Sequence, residues 1–151
     1  MMKKVILILM IGFTMFACND DASVDNRKNV DYEVMQKGYL SGDHITSNPQ
    51  SNAITNQDEW NQLVSLLTAE FYDLNTINID FNTHYVLYIV DEPRSAGGYS
   101  IDVDTIFENA NTIDVHINSS CSDGSEIDMP TQPFCLVKIS KTDKSINFIF
   151  N

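Results

Sequence analysis

An alternation of apolar and polar residues in the C-terminal half is the strongest constraint on how this chain folds. Ser100-Ile101-Asp102-Val103-Asp104-Thr105 and Thr112-Ile113-Asp114-Val115-His116-Ile117 alternate, with Ile101 and Val103 in the first and Ile113, Val115 and Ile117 in the second as the apolar positions. Successive side chains of an extended strand point to opposite faces, so each segment has one core face and one wet face. A helix would scatter the same residues around its circumference. Glu108-Asn109-Ala110-Asn111 between the two segments is turn-like, which predicts a hairpin. Tyr85-Val86-Leu87-Tyr88-Ile89-Val90 is instead continuously apolar and rich in β-formers, as a strand covered on both faces would be. Leu136-Val137-Lys138-Ile139 and Ile146-Asn147-Phe148-Ile149-Phe150 are predicted as a second hairpin, joined through Lys141-Thr142-Asp143-Lys144.

One segment breaks the pattern. After the turn cluster Ser47-Asn48-Pro49-Gln50-Ser51-Asn52, residues Trp60, Leu63, Val64 and Leu67 fall at i, i+3, i+4 and i+7, the apolar stripe of a short helix. Asn56 suits its N-cap, Glu59 can complete a capping box, and Asp58 suits the positive end of the helix. Trp60 reads as a core anchor. A shorter strand is expected around Gln36 to Leu40. One helix and about five to seven strands, with no internal repeat, place the chain in the α+β class. The expected architecture is a single domain over residues 32–151, a small, mostly antiparallel β-sheet or sandwich with one short amphipathic helix.

Ahead of the domain, Met1-Met2-Lys3-Lys4 is a short positive segment, and Val5 to Phe16 is an apolar run of 12 residues. A membrane-spanning helix takes about 20 residues, so the run fits the apolar part of a secretion signal. It ends in Thr14-Met15-Phe16-Ala17-Cys18, which resembles a bacterial lipobox. That resemblance implies that residues 1–17 are a signal peptide and that Cys18 carries lipid. An uncleaved anchor, or an ordinary signal with an incidental Cys18, are the alternatives. Residues 18–31, opening with Asn19-Asp20-Asp21, are polar and acidic and read as a disordered tether. Acids directly after the cysteine resemble the surface-export signal of Bacteroidota-type lipoproteins. The implied location is the outer membrane or cell surface.

The charge balance narrows the partners. Nine Lys and Arg stand against 21 Asp and Glu, a net charge of −12, and phosphate neutralisation needs the clustered cations this chain lacks. Nucleic acid is therefore not expected. With Cys18 assigned to lipid, Cys121 and Cys135 are left as a pair in an oxidising compartment. A disulfide between them would close a loop of about 15 residues and contribute roughly 3 kcal/mol; two free thiols are the alternative. There is no CxxC, and His44, His84 and His116 are isolated, so neither metal nor cofactor is expected.

Catalytic patterns are sparse. The chain has no G-x-S-x-G, no H-E-x-x-H and no phosphate loop. Asp102, Asp104, Asp114 and His116 are expected on one face of the first hairpin, where an acid/base pair or a weak calcium site is conceivable. Solvated charge is the ordinary reading of that face. The most unusual stretch is Asp91-Glu92-Pro93-Arg94-Ser95-Ala96-Gly97-Gly98-Tyr99. Pro93 stiffens a strand exit, and the paired glycines allow positive φ before the next strand. Arg94 and Tyr99 are of types enriched at protein-binding hot spots; a tight turn with Tyr99 packed inward is the alternative.

Several motifs in order carry a resemblance. Asn56, Glu59, Trp60 and Leu63 form N-x-x-E-W-x-x-L. Ile79-Asp80-Phe81 precedes an apolar strand, Gly97-Gly98-Tyr99-Ser100-Ile101 follows it, and Gln132-Pro133-Phe134 opens Val137-Lys138-Ile139. Over residues 53–150 this resembles the C-terminal domain of PrcB-type lipoproteins. Ala96 departs from the threonine often found before the two glycines, and the cysteine pair is not a general feature of that family. The resemblance implies a non-enzymatic, lipid-anchored envelope protein that associates with a protein partner, a surface protease in particular, and stabilises or restrains it. Arg94, Gly97, Gly98, Tyr99, Gln132, Pro133 and Phe134 are the expected contact surface, on two loops at one end of the sheet. Loop pairs of this kind are loosely similar to those of chagasin-type inhibitors. The rival expectation is a small-ligand or cation-binding envelope lipoprotein using the acidic β-face.

Overall fold

The computed structural model describes residues 27–47, 51–122 and 128–151. The expected signal peptide, Cys18 and most of the expected tether lie outside the described residues. In chain order the elements are β1 (Lys28–Asn29), β2 (Tyr32–Ser41), a 3-10 turn at Gly42–His44, β3 (Asn52–Ile54), α1 (Gln57–Ala69), β4 (His84–Val90), β5 (Tyr99–Glu108), β6 (Thr112–Cys121), β7 (Thr131–Ser140) and β8 (Ser145–Phe150). The strands form two four-stranded sheets, β1-β5-β6-β8 and β2-β7-β4-β3. Every pairing is antiparallel except β6 with β8. This is the expected α+β class.

The second sheet is the middle of three layers, which is why its central strands are continuously apolar. Val86 and Val90 of β4 and Phe134 and Leu136 of β7 pack against Trp60, Leu63 and Leu67 of the helix. Leu87, Ile89, Cys135, Val137 and Ile139, one residue out of phase, pack against Ile101, Val103, Ile106, Ile113, Val115 and Ile117 of the first sheet. Period-two geometry sends alternate residues to opposite faces, so a doubly covered strand needs apolar side chains at nearly every position. The first sheet has one open face, and its β5 and β6 alternate apart from one bulge after Val103 of β5.

Local chemistry sets the helix ends. The Asn56 side chain accepts from Glu59 N at 3.0 Å, and the Glu59 carboxylate accepts from Thr55 N at 2.8 Å. The capping box closes one residue earlier than in its usual form. At the other end, Phe71 N donates to Thr68 O and Tyr72 N to Leu67 O, and Phe71 sits at a φ of 67°. No helix among the described residues is long and apolar enough to cross a membrane.

Two expectations about organisation are corrected. The hairpin of β5 and β6 forms, but β7 and β8 do not pair. β7 already has β2 on one side and β4 on the other, so no edge is left, and β8 crosses to the first sheet and lies parallel to β6. Strand pairing is also present before residue 32. Lys28 and Asn29 pair with Glu108 and Phe107, and Val30 N donates to Ile106 O at 2.9 Å, which ties residues 28–30 to the edge of β5.

Candidate functional site

The chain leaves β4 at Asp91, and this carboxylate organises one end of the sandwich. Asp91 N donates to Pro133 O at 2.9 Å, extending the β4–β7 ladder. Its carboxylate accepts from the Arg94 guanidinium at 2.7 Å and from Ser119 Oγ of β6 at 3.1 Å, so one buried acid joins both sheets. Arg94 is further fixed through its backbone, which exchanges hydrogen bonds with Thr131 at 2.7 and 3.0 Å. Its guanidinium stands over the Tyr99 ring at 5.1 Å. The Asp91 hydrogen bond, ahead of every other influence, holds the Arg94 pKa above its ordinary value. The cation is permanent and its direction is set.

Beside this corner lies an open cleft of about 850 Å³ between the sheets. Ser51, Val90, Asp91, Glu92 and Arg94 line one wall. Ser119, Ile146, Asn147, Phe148, Phe150 and Asn151 line the other. Phe150 is 46 % exposed, and Ile146 and Phe148 are partly covered by the inter-sheet core. The cleft therefore joins an apolar floor to a fixed ion pair.

Of the expected contact residues, Arg94, Gly98 and Tyr99 stand half-buried at this corner, and Gly98 adopts the positive φ foreseen for the glycine pair, 89°. Gly97 is buried. Gln132, Pro133 and Phe134 are corrected: they are buried residues of β7, not a loop. The Gln132 amide accepts from Thr46 N at 2.8 Å and donates to Asp91 O at 3.0 Å, and the Phe134 ring meets Tyr72 edge-on at 5.0 Å. They lie at the same end of the sheet as Arg94, as expected, but they build the site from beneath.

The cysteine pairing is also corrected. Both thiols are free. Cys135 points into the core between the sheets, while Cys121 is the exposed last residue of β6, opposite Tyr99. Burial pushes the Cys135 thiol up to about 11.

Asp102, Asp104, Asp114 and His116 lie on the non-core side of the hairpin, as expected, but they do not converge on a site. A bulge between Val103 and Thr105 takes Asp104 out of register, leaving Asp102 opposite Asn118, His116 opposite Thr105 and Asp114 opposite Phe107. Asp102 pairs with Lys37, and Asp114 accepts from Asn147 at 2.9 Å and Asn109 at 2.7 Å. Those hydrogen bonds, that of Asn147 foremost, hold the Asp114 carboxyl below its ordinary range. Among the described residues no three His, Cys, Asp or Glu side chains are placed to hold a metal ion.

Asp91, Ser119, Ile146, Phe148 and Phe150 were not foreseen as site residues. The i, i+3 spacing of Asp91 and Arg94 across Pro93 was the one local signal. Compared with known proteins, the chain matches no family model, no curated protein and no solved structure.

Proposed function

We propose that this chain is a lipid-anchored cell-envelope module that binds a protein partner, a protease which it stabilises or restrains, and that it performs no catalysis of its own. The observation that supports this reading best is Arg94, held by Asp91 in the wall of the open cleft with its guanidinium over the Tyr99 ring. Binding hot spots favour arginine and aromatic side chains beside a pocket that excludes water, and they lose least entropy when the side chains are already held in place. Asp91 and Ser119 do that holding here. The resemblance to PrcB-type lipoproteins and the lipobox-like Cys18 point the same way.

The test is affinity capture with the purified full-length chain immobilised and exposed to envelope and secreted proteins of its own cell. Recovery of a protease or its proform, released by Tyr99→Ala, supports the reading. Protease activity measured with and without the chain then separates restraint from stabilisation. A capture indistinguishable from blank beads counts against a stable protein partner.

A further inference from the structure

The four edge strands of the two sheets differ in how they are protected. β1 has 2 residues and β3 has 3, too short to template another strand. β2 has 10, but a bulge interrupts it between Val34 and Gln36, and it carries Glu33 and Lys37, paired with Lys138 and Asp102. β8 has none of these devices. Its 6 residues, Ser-Ile-Asn-Phe-Ile-Phe, contain no charge and no proline, and their register with β6 is unbroken.

The free side of β8 follows from its bonded side. Ser145 N donates to Asn111 O at 3.3 Å and Asn151 N to Ile117 O at 2.9 Å. Amide directions alternate along a strand, so Asn147 and Ile149 also turn to β6, and Ile146, Phe148 and Phe150 turn their N–H and C=O groups outward. The side chains of those same residues line the cleft. A strand laid along β8 would satisfy the outward groups and send every second side chain into the cleft opposite Val90.

Charge selects the occupant. Each described cation is already engaged. Lys28 and Lys144 meet Glu108, Lys37 meets Asp102, Lys138 meets Glu33 and Arg94 meets Asp91. Arg27 stands over the Phe107 ring and Lys141 over the Tyr85 ring. With a net charge of −12, the unbalanced surface charge is acidic, and exposed Asp143 lies just before β8. Asp114 of the adjacent β6 stands on the face away from the core, to which the residues between those entering the cleft would turn. A second copy of this chain would bring like charge against itself.

We propose that the free edge of β8 receives an extended segment of the partner protein by strand addition, with apolar residues at alternate positions entering the cleft and lysine or arginine between them. This rests on the protein-binding reading above and adds the mode of docking.

The test uses the purified full-length chain and three labelled ten-residue peptides: alternating Val-Lys, alternating Val-Glu, and Val and Lys in two blocks. Fluorescence anisotropy should show the alternating Val-Lys peptide binding at least about tenfold more tightly than the others. Amide exchange at Ile146, Phe148 and Phe150 should slow when it binds. Phe150→Pro removes an outward N–H and leaves the β6 ladder intact, so affinity should fall about tenfold with folding preserved. Should that variant not fold, Phe150→Lys sets like charge against the peptide and serves the same purpose. Equal or absent binding of the three peptides, or unchanged exchange at those amides, overturns the proposal. So do slow exchange there in the free chain, which would mean its own residues cover the edge, and a dimer that Phe150→Pro dissolves. A captured partner indifferent to Phe150→Pro also overturns strand addition but leaves the protein-binding reading standing; capture of no partner fails that reading itself.

Discussion

The Tyr32 hydroxyl of β2 donates to the carbonyl of Val103 in the opposite sheet at 2.9 Å, with the Asp104 carbonyl next nearest at 3.2 Å. These are the two residues at which the β5–β6 ladder slips. A bulge leaves ladder groups unpaired, and here the other sheet supplies the donor. Tyr32→Phe keeps the ring and removes the bond, so the loss is expected to be about 1 kcal/mol, read from urea denaturation. A change in slope rather than midpoint would show instead that the sheets had come apart.

Asp91 and Arg94 set a second expectation. The Asp91 side chain is 5 % exposed and that of Arg94 29 %, so removing the cation leaves a buried carboxylate with Ser119 and no counter-charge. Arg94→Ala should cost about 3 kcal/mol, and Tyr99→Ala, which removes a half-buried ring and a cation–π contact, about 1–2 kcal/mol. Thermal melts of both variants, beside their partner capture, separate structure from recognition. A Tyr99→Ala chain that melts normally yet captures normally removes Tyr99 from the contact surface.

The elements legible in the sequence are those whose pattern depends on one neighbour. The alternation of β5 and β6 needs only a wet face and a dry one, and the stripe of Trp60, Leu63 and Leu67 needs only one apolar layer beneath. The placement of β8 depended on whether β7 had a free edge, which no residue in β8 records. Gln132 and Phe134 misled for a related reason. A polar-proline-aromatic run looks like a loop until Thr46 and Asp91, far away in sequence, satisfy the Gln132 amide inside the protein. Of the site, the Arg94–Tyr99 stretch was visible through its glycines and proline. The cleft was not, because its walls come from strands that meet only after both sheets form.

Thiol chemistry should distinguish the two cysteines of the domain. Cys121 is exposed and Cys135 is buried with its pKa raised to about 11, so at neutral pH almost no Cys135 thiolate exists and reagent cannot reach it. Iodoacetamide at pH 7.5, followed by peptide mass mapping, should label Cys121 in the native chain and Cys135 only in denaturant. Recovery of a Cys121–Cys135 cross-linked peptide from oxidised native protein would overturn the free-thiol description.

Acid should weaken the junction of β2 and the helix. Burial of the Glu70 carboxyl acts to raise its pKa, but hydrogen bonds from His44 at 2.5 Å, Ser41 Oγ at 2.9 Å and Ser41 N at 3.2 Å outweigh it, and the net shift is below the ordinary 4.5. A carboxyl whose pKa is lower folded than unfolded binds its proton more readily in the unfolded chain. Its stabilisation is therefore present above 4.5 and is lost as pH falls through the lower, folded value. Glu70→Gln should lower stability at pH 7 and make the decline below 4.5 shallower. Chemical denaturation across pH 3 to 7 checks this, and parallel curves for the two proteins would assign the acid sensitivity elsewhere.

Phe71 offers a gain in stability. It occupies the position after the helix C-cap at a φ of 67°, where its own amide and that of Tyr72 close the last turn onto Thr68 O and Leu67 O. This is the double hydrogen bond in which glycine ordinarily stands, because a Cβ there crowds the neighbouring carbonyl. Phe71 is 96 % exposed, so its ring adds little to the core in return. Phe71→Gly relieves the strain and gives back part of it as unfolded-chain entropy, for a net gain of about 0.5–1 kcal/mol. The urea midpoint should rise with unchanged slope, and Phe71→Ala, which retains Cβ, should show no such gain. A loss of stability in the glycine variant would mean that the exposed ring makes contacts in the folded protein that its position does not suggest.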